Sequence, residues 1–167
     1  MRLFRLPAVA ALALLAACDL STEPNVPTAI DPAVDTYATS LGIDIGSMTK
    51  TSTGLYYKNL VPGAGAAAQI GDSVRVHYTL WLTNGTMVES SKAGSAPTPI
   101  RILLGDTSVN RVIPGFEEGI IGMLPGGRRQ LVVPPHLAWS TKGNPPVQPN
   151  ANVVFEIDYV ERIPAAP

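Results

Sequence analysis

The chain has 167 residues, with 12 Lys and Arg against 13 Asp and Glu and a formal net charge of −1, so no basic field exists to hold nucleic acid. Apolar residues make up 46% and charged residues 15%, which supports the packed core of one ordinary domain and excludes both a second full domain and global disorder. One cysteine and two histidines exclude a disulfide framework and argue against a zinc site, while 15 Gly and 16 Pro point to turns rather than long helices.

Residues 1–17 carry Arg2 and Arg5, then an apolar run from Leu6 to Ala17 broken only by Pro7. The run is too short to span a bilayer as a helix but fits the apolar region of a signal peptide. It ends Leu15-Ala16-Ala17-Cys18, which resembles the bacterial lipoprotein box, in which small residues precede a cysteine that receives lipid. The resemblance implies cleavage before Cys18, lipidation of Cys18, and export to the outer side of a bacterial membrane with several acyl chains as the anchor. Asp19–Pro32 is rich in Ser, Thr, Glu, Asn and Pro, the composition of a solvated tether. Val34, Tyr37 and Leu41 are spaced three and four apart, which admits one short helix before the β pattern begins. Residues 18–50 are therefore expected to be the lipidated terminus and a flexible linker, residues 51–163 the domain, and 164–167 a tail. With no dimerisation helix ahead of the domain, a monomer is expected.

Within the domain, Gly54–Val61 is expected as a strand closed by Pro62-Gly63-Ala64-Gly65. Ser73–Leu82 alternates most cleanly, with Val74, Val76, Tyr78, Leu80 and Leu82 on one face. Asn84-Gly85 supplies a tight hairpin turn, Met87–Ser90 returns, and Ile100–Leu104 is another short strand. Ile113–Met123 is the one credible helix: Pro114 suits its first turn, Glu117 and Glu118 favour its positive end, and Phe116, Ile120 and Met123 form one stripe. Pro125-Gly126-Gly127 stops it. Residues 128–133 alternate as a strand, His136–Asn150 is a Pro-rich loop, and Val153, Phe155, Ile157 and Tyr159 are the inward row of a closing strand. An antiparallel sheet with one short helix on a face is an α+β domain, without the βαβ spacing or Gly-rich phosphate loop of a nucleotide fold.

Val76-His77-Tyr78-Thr79, Asn84-Gly85, Ser90-Ser91, Val112-Ile113-Pro114-Gly115-Phe116-Glu117-Glu118-Gly119 and Val153-Val154-Phe155-Glu156-Ile157 together resemble the FKBP-type peptidyl-prolyl isomerases, in one collinear order over about Thr51–Arg162. The resemblance implies a curled antiparallel sheet wrapped around a short helix, with an apolar cleft between them for a prolyl residue. It places the pocket tyrosine at Tyr78, the next apolar wall at Val88, its acidic neighbour at Glu89, and the following strand's residue at Ile100. It further implies that Val112 and Ile113 meet the ligand through their backbone and that Phe116 is the floor. Trp139 and Val147 come from the late loop and Phe155 from the last strand. The assignment makes Tyr78, Glu89, Ile113, Phe116 and Phe155 catalytic, and Val88, Ile100, Val112, Trp139 and Val147 substrate-binding. Departures from the usual pattern are Val88-Glu89 for Phe-Asp, Phe116 for tryptophan, Trp139 for tyrosine, and Asn144-Pro145-Pro146 within the late loop.

Rotation about an X–Pro amide must cross a barrier of about 18–20 kcal/mol and needs no nucleophile. An apolar site favours the twisted, less dipolar amide, the Ile113 N–H is expected to fix a carbonyl, and the Tyr78 hydroxyl to bond the rotating one. No metal or cofactor is called for. Taken singly, Phe155, Val112 and Phe116 are core residues of any β domain, Glu89 is a solvated charge, and His77 and His136 have no catalytic partner. The set is expected to form an isomerase acting on proline-containing segments of exported proteins. The alternative is a weakly active or inactive prolyl-binding or chaperone module, favoured by Val88-Glu89 and Phe116. A pure scaffold would have its cleft filled.

Overall fold

A computed structural model describes residues 26–108 and 112–163; the expected signal peptide at 1–17, Cys18 and the expected tail at 164–167 lie outside the described residues. Seven antiparallel strands form one sheet: β1 (Thr49–Lys50), β2 (Tyr56–Val61), β3 (Ser73–Leu82), β4 (Met87–Ser90), β5 (Ile100–Leu103), β6 (Arg128–Val133) and β7 (Val153–Ile163). The order is β1-β2-β6-β7-β3-β4, with β5 also on β3. The long β3 is paired along one side by β7 and shared on the other, β5 against Ser73–Val76 and β4 against Thr79–Trp81. Between those halves the edge of β3 opens at Tyr78, whose backbone is met instead by Ser91: the Tyr78 N–H donates to Ser91 Oγ at 2.9 Å and the Ser91 N–H to the Tyr78 carbonyl at 3.0 Å.

The inner face follows the expected alternation. Val74, Val76, Leu80, Leu131, Val133, Val153, Phe155, Ile157 and Tyr159 pack with Phe116 and Ile120 into the main core. The single helix among the described residues, α1 (Pro114–Ile120), is shorter than the expected 113–123. Ile113 precedes a proline and is held extended at φ −59°, ψ 146°, and Ile121 leaves the helix at φ −56°, ψ 131°. Gly115 and Gly119 let this helix lie directly on the sheet. A Cβ at Gly119 would come within 2.3 Å of Leu131 Cδ1, and one at Gly115 within 2.4 Å of Val133 Cγ1.

The outer face carries a second apolar cluster. Val132 and Val154, on positions that alternation assigns to solvent, are buried with Tyr56 and Met48, and Trp81 is half-buried beside them. Their cover is the segment expected as a flexible linker. Residues 26–50 lie along the sheet, packing Tyr37, Leu41, Ile43 and Ile45 over the cluster and ending in β1, which pairs with β2. This segment therefore packs on the sheet and keeps its apolar outer face from water. The short helix allowed by the spacing of Val34, Tyr37 and Leu41 is replaced by two single turns, Thr39–Leu41 and Ile45–Ser47.

Candidate functional site

A cleft of about 210 Å³ opens between α1 and the concave inner face of the sheet, lined by Tyr78, Leu80, Glu89, Ile100, Val112, Ile113, Phe116, Trp139 and Phe155. It lies where the β3 edge parts. Tyr78 stands at the junction of the β4 and β5 pairings, Glu89 comes from β4, Ile100 opens β5, and Phe155 is opposite Leu80 on β7. Three rings interlock at its base. Tyr78 and Phe116 meet edge to face with centroids 5.4 Å apart, Phe116 and Phe155 are at 5.0 Å, and Tyr78 and Phe155 at 6.3 Å. Phe116 and Phe155 are buried, whereas Tyr78, Ile100, Val112, Ile113 and Trp139 are half-buried, as walls rather than core.

The polar groups of the cleft are few. The Tyr78 hydroxyl donates its one proton to Glu89 Oε1 at 2.5 Å. Burial first, then this hydrogen bond and the nearby carboxylate charge, push the phenol well above the usual tyrosine range, so it stays neutral across the physiological span. In this structure the proton expected to meet a rotating carbonyl is engaged by Glu89, and Tyr78 lines the cleft. Glu89 itself is exposed at the rim and is the sole charged residue lining the cleft. The Ile113 carbonyl accepts from the N–H groups of Phe116 and Glu117 at 3.1 and 3.3 Å, while among the described residues its own N–H has no internal acceptor. That N–H remains available because Ile113 is extended at the helix entrance rather than in the helix.

Two expected lining residues lie elsewhere. Val88 is the extra residue of a β-bulge, since Leu80 opposes Glu89 and Trp81 opposes Met87. Val88 packs on the core without reaching the cleft. Val147 is 3% exposed, inside the core beneath a tight turn in which Asn144 and Val147 bond each other's backbone. Leu80 was not anticipated as a lining residue. It sits two residues after Tyr78 on the same strand face, and that spacing was the available signal.

Helix α1, which delivers Ile113 and Phe116, is tied to the sheet by Arg129 on β6. This guanidinium donates from Nη1 to the carbonyls of Gly119 and Ile121 at 2.9 and 3.2 Å and from Nε to Asn59 Oδ1 at 2.8 Å. It also lies 4.5 Å from the centre of the Tyr57 ring. The charge satisfies the last carbonyls of the helix, where the peptide dipoles are negative. Among the described residues no group of three His, Cys, Asp or Glu side chains is placed to hold a metal ion.

Comparison with known proteins agrees with this geometry. A family profile described as FKBP-type peptidyl-prolyl cis-trans isomerase matches residues 65–160. The FK506-binding protein of Neisseria meningitidis is 37% identical over 109 residues, which cover 65% of this chain and 95% of that protein. The FK506-binding protein 4 of Chaetomium thermophilum is 39% identical over 99 residues, 59% of this chain but only 19% of that relative. Several of the curated relatives are thus much longer than the shared region. The crystal structure of FkpA from Escherichia coli superposes with a TM-score of 0.64 at 31% identity, over 77% of this chain and 56% of that one. AtFKBP13 superposes at 0.62 with 29% identity, over 70% of this chain and 99% of that one. The chain belongs to the FKBP-type peptidyl-prolyl cis-trans isomerase family.

Proposed function

We propose that this protein is a peptidyl-prolyl cis-trans isomerase that accelerates X–Pro rotation in exported polypeptides from a lipid-anchored position, with Cys18 as the lipidated residue. The observation that carries the activity is the open aromatic cleft with an available backbone donor, the Ile113 N–H, at its entrance. A filled cleft, as a pure scaffold would have, is not what the fold builds.

In this reading the proline ring enters between Tyr78, Phe116 and Phe155, and Ile100, Val112 and Trp139 hold the flanking chain. The Ile113 N–H fixes a substrate carbonyl. The planar amide is more dipolar than the twisted one, so a water-poor aromatic site raises the ground state relative to the transition state. Glu89 holds the Tyr78 ring in place through its hydroxyl. No bond to the protein forms or breaks, and the reaction ends as the rotated segment leaves.

The test is a proline-isomerisation assay on the full-length chain, scanning the residue before proline. Acceleration lost in a still-folded Phe155→Ala variant supports the reading. A well-folded protein with no acceleration refutes it, leaving a prolyl-binding module to be detected by peptide titration. For the anchor, Cys18→Ser is expected to move the expressed protein from the membrane to the soluble fraction; unchanged membrane association would refute lipidation as the anchor.

A further inference from the structure

The loop that carries Trp139 into the cleft has no long strand of its own to hold it. Trp139 is followed by a single helical turn, Ser140–Lys142, and the chain then runs through exposed Asn144, Pro145 and Pro146 before returning at Asn150. Its return is fixed by the Asn150 N–H, which donates to the carbonyl of Ser140, the residue next to Trp139, at 2.8 Å. Asn150 and Asn152 in turn bond the N-terminal segment that crosses the outer side. Asn150 Nδ2 donates to the Pro27 carbonyl at 2.6 Å; Asn152 Nδ2 donates to the Ile30 carbonyl at 2.9 Å and to Asp35 Oδ2 at 2.7 Å. A few residues later the Ala38 N–H donates to the carbonyl of Thr83 at 2.8 Å, beside the β3–β4 turn.

Asn152 is 3% exposed and its Oδ1 has no hydrogen-bond partner. A buried amide left half satisfied is costly, so what this side chain contributes to the fold is its pair of donated bonds to the segment at 30–35. Asn150 adopts φ 57°, which directs the chain back toward Ser140 while its side chain reaches Pro27. Hydrogen bonds thus join Pro27 through Asn150 to Ser140, the residue next to Trp139, while Ile30 and Asp35 are held by Asn152, two residues along the chain from Asn150.

We propose that residues 27–35 are a strap that sets the substrate affinity of the cleft by fixing the Trp139 loop, with Asn150 and Asn152 as its positioning residues. The proposal rests on the cleft being the prolyl site. Further along the same segment, beyond the strap, a separate attachment does not lead to the cleft: Gln130 Nε2 donates to the Leu41 carbonyl at 2.8 Å, above the outer cluster that contains Trp81. The two tryptophans therefore report separate places, Trp81 in the outer cluster with Tyr37, Leu41, Ile43 and Ile45, and Trp139 at the cleft.

The experiment labels the full-length chain with 5-fluorotryptophan, assigns the two resonances with Trp139→Phe, and compares Asn150→Gly, Asn152→Ala and Gln130→Ala. Glycine tolerates the positive φ of Asn150, so the first variant removes the side-chain bond while keeping the backbone conformation even should Asn152→Ala fold poorly. In Asn150→Gly and Asn152→Ala the Trp139 resonance is expected to shift or broaden, and KM, or Kd for a prolyl peptide, to rise about threefold to tenfold with kcat within about twofold, the scale of one or two lost hydrogen bonds. Gln130→Ala should move the Trp81 resonance alone and leave KM unchanged. An unmoved Trp139 resonance and unchanged peptide affinity in folded Asn150→Gly would overturn the proposal, as would an equal loss of affinity in Gln130→Ala. Because the fluorine signal does not depend on turnover, absence of isomerase activity would count against the proposed function and not against the strap.

Discussion

Replacing Arg129 by methionine tests how the helix that delivers Phe116 is held. The guanidinium is 7% exposed, is bonded to three protein oxygens, and has no carboxylate partner among the described residues. Burial pulls its pKa below the usual arginine range, partly offset by Tyr57, yet guanidinium remains the protonated species at neutral pH. Methionine fills most of the volume and removes the cost of a buried charge, a gain that offsets part of the loss. What remains is the Gly119 carbonyl, buried and without a donor, and the partly buried Ile121 carbonyl. Such orphaned groups cost about 1–3 kcal/mol each, less where water can return, and Asn59 is exposed enough to rehydrate. The net loss is expected to be about 2–3 kcal/mol, or roughly 5–10 °C in Tm for a domain of this size. Urea unfolding followed by tryptophan fluorescence measures it as a lower midpoint at unchanged m value. Arg129→Lys should recover little, since one ammonium cannot span the three oxygens. A loss under about 1 kcal/mol, or a gain, would refute the reasoning and show that the desolvation of the charge outweighs its bonds.

Gly119→Ala should destabilise by about 1–2 kcal/mol in chemical denaturation, because overpacking against Leu131 exceeds the helix-propensity gain of alanine; Gly119→Ala with Leu131→Ala should be less than additive. Trp139→Ala should weaken prolyl-peptide binding about tenfold in a titration, with little change in unfolding midpoint, since this ring is a half-buried wall of the cleft. Asp158 is pulled upward by burial but held below the usual carboxylate range by hydrogen bonds from Lys92 and Arg128. Its stabilisation is therefore present above about pH 4, the unfolded value, and is lost as pH falls through the lowered folded value. Asp158→Asn should flatten the acid limb of a stability–pH profile; an unaltered limb would contradict this. Tyr78, raised by burial and by Glu89, should remain protonated to beyond pH 9, so kcat/KM should show no alkaline fall attributable to it, in the wild type or in Tyr78→Phe.

The sequence was most legible where one physical rule acted alone. The ends of β3, β4 and β6 follow from alternation and from the Asn84-Gly85 turn, in which Gly85 takes φ 88°. Six expected cleft residues from β3, β4, β5, α1, β7 and the late loop, together with Val112 and Ile113 just before α1, converge in space, because a collinear family resemblance carries the tertiary arrangement that spacing alone cannot. The bulge at Val88 was not legible, since one extra residue leaves the alternation of a four-residue strand undefined. Nor was the cover formed by residues 26–50. The start of that segment has the composition of a tether, and its few apolar residues gain meaning only against Val132, Val154 and Trp81, which alternation placed in solvent. Those three apolar residues on polar positions were the available sign that something covers the outer face. The short α1 shows a local rule prevailing over a longer apolar stripe: the proline after Ile113 fixes its start, and Arg129 satisfies its end.

The most direct test of the account is exchange NMR of a short X–Pro peptide with catalytic amounts of the full-length chain. The cis and trans signals should exchange on the timescale of seconds or faster where the uncatalysed peptide needs tens of seconds or more, and Phe116→Ala should abolish the exchange in a chain that still unfolds cooperatively. Unchanged peptide exchange in the presence of the folded protein, or exchange that survives loss of the Phe116 ring, would contradict the assignment of isomerisation to this cleft.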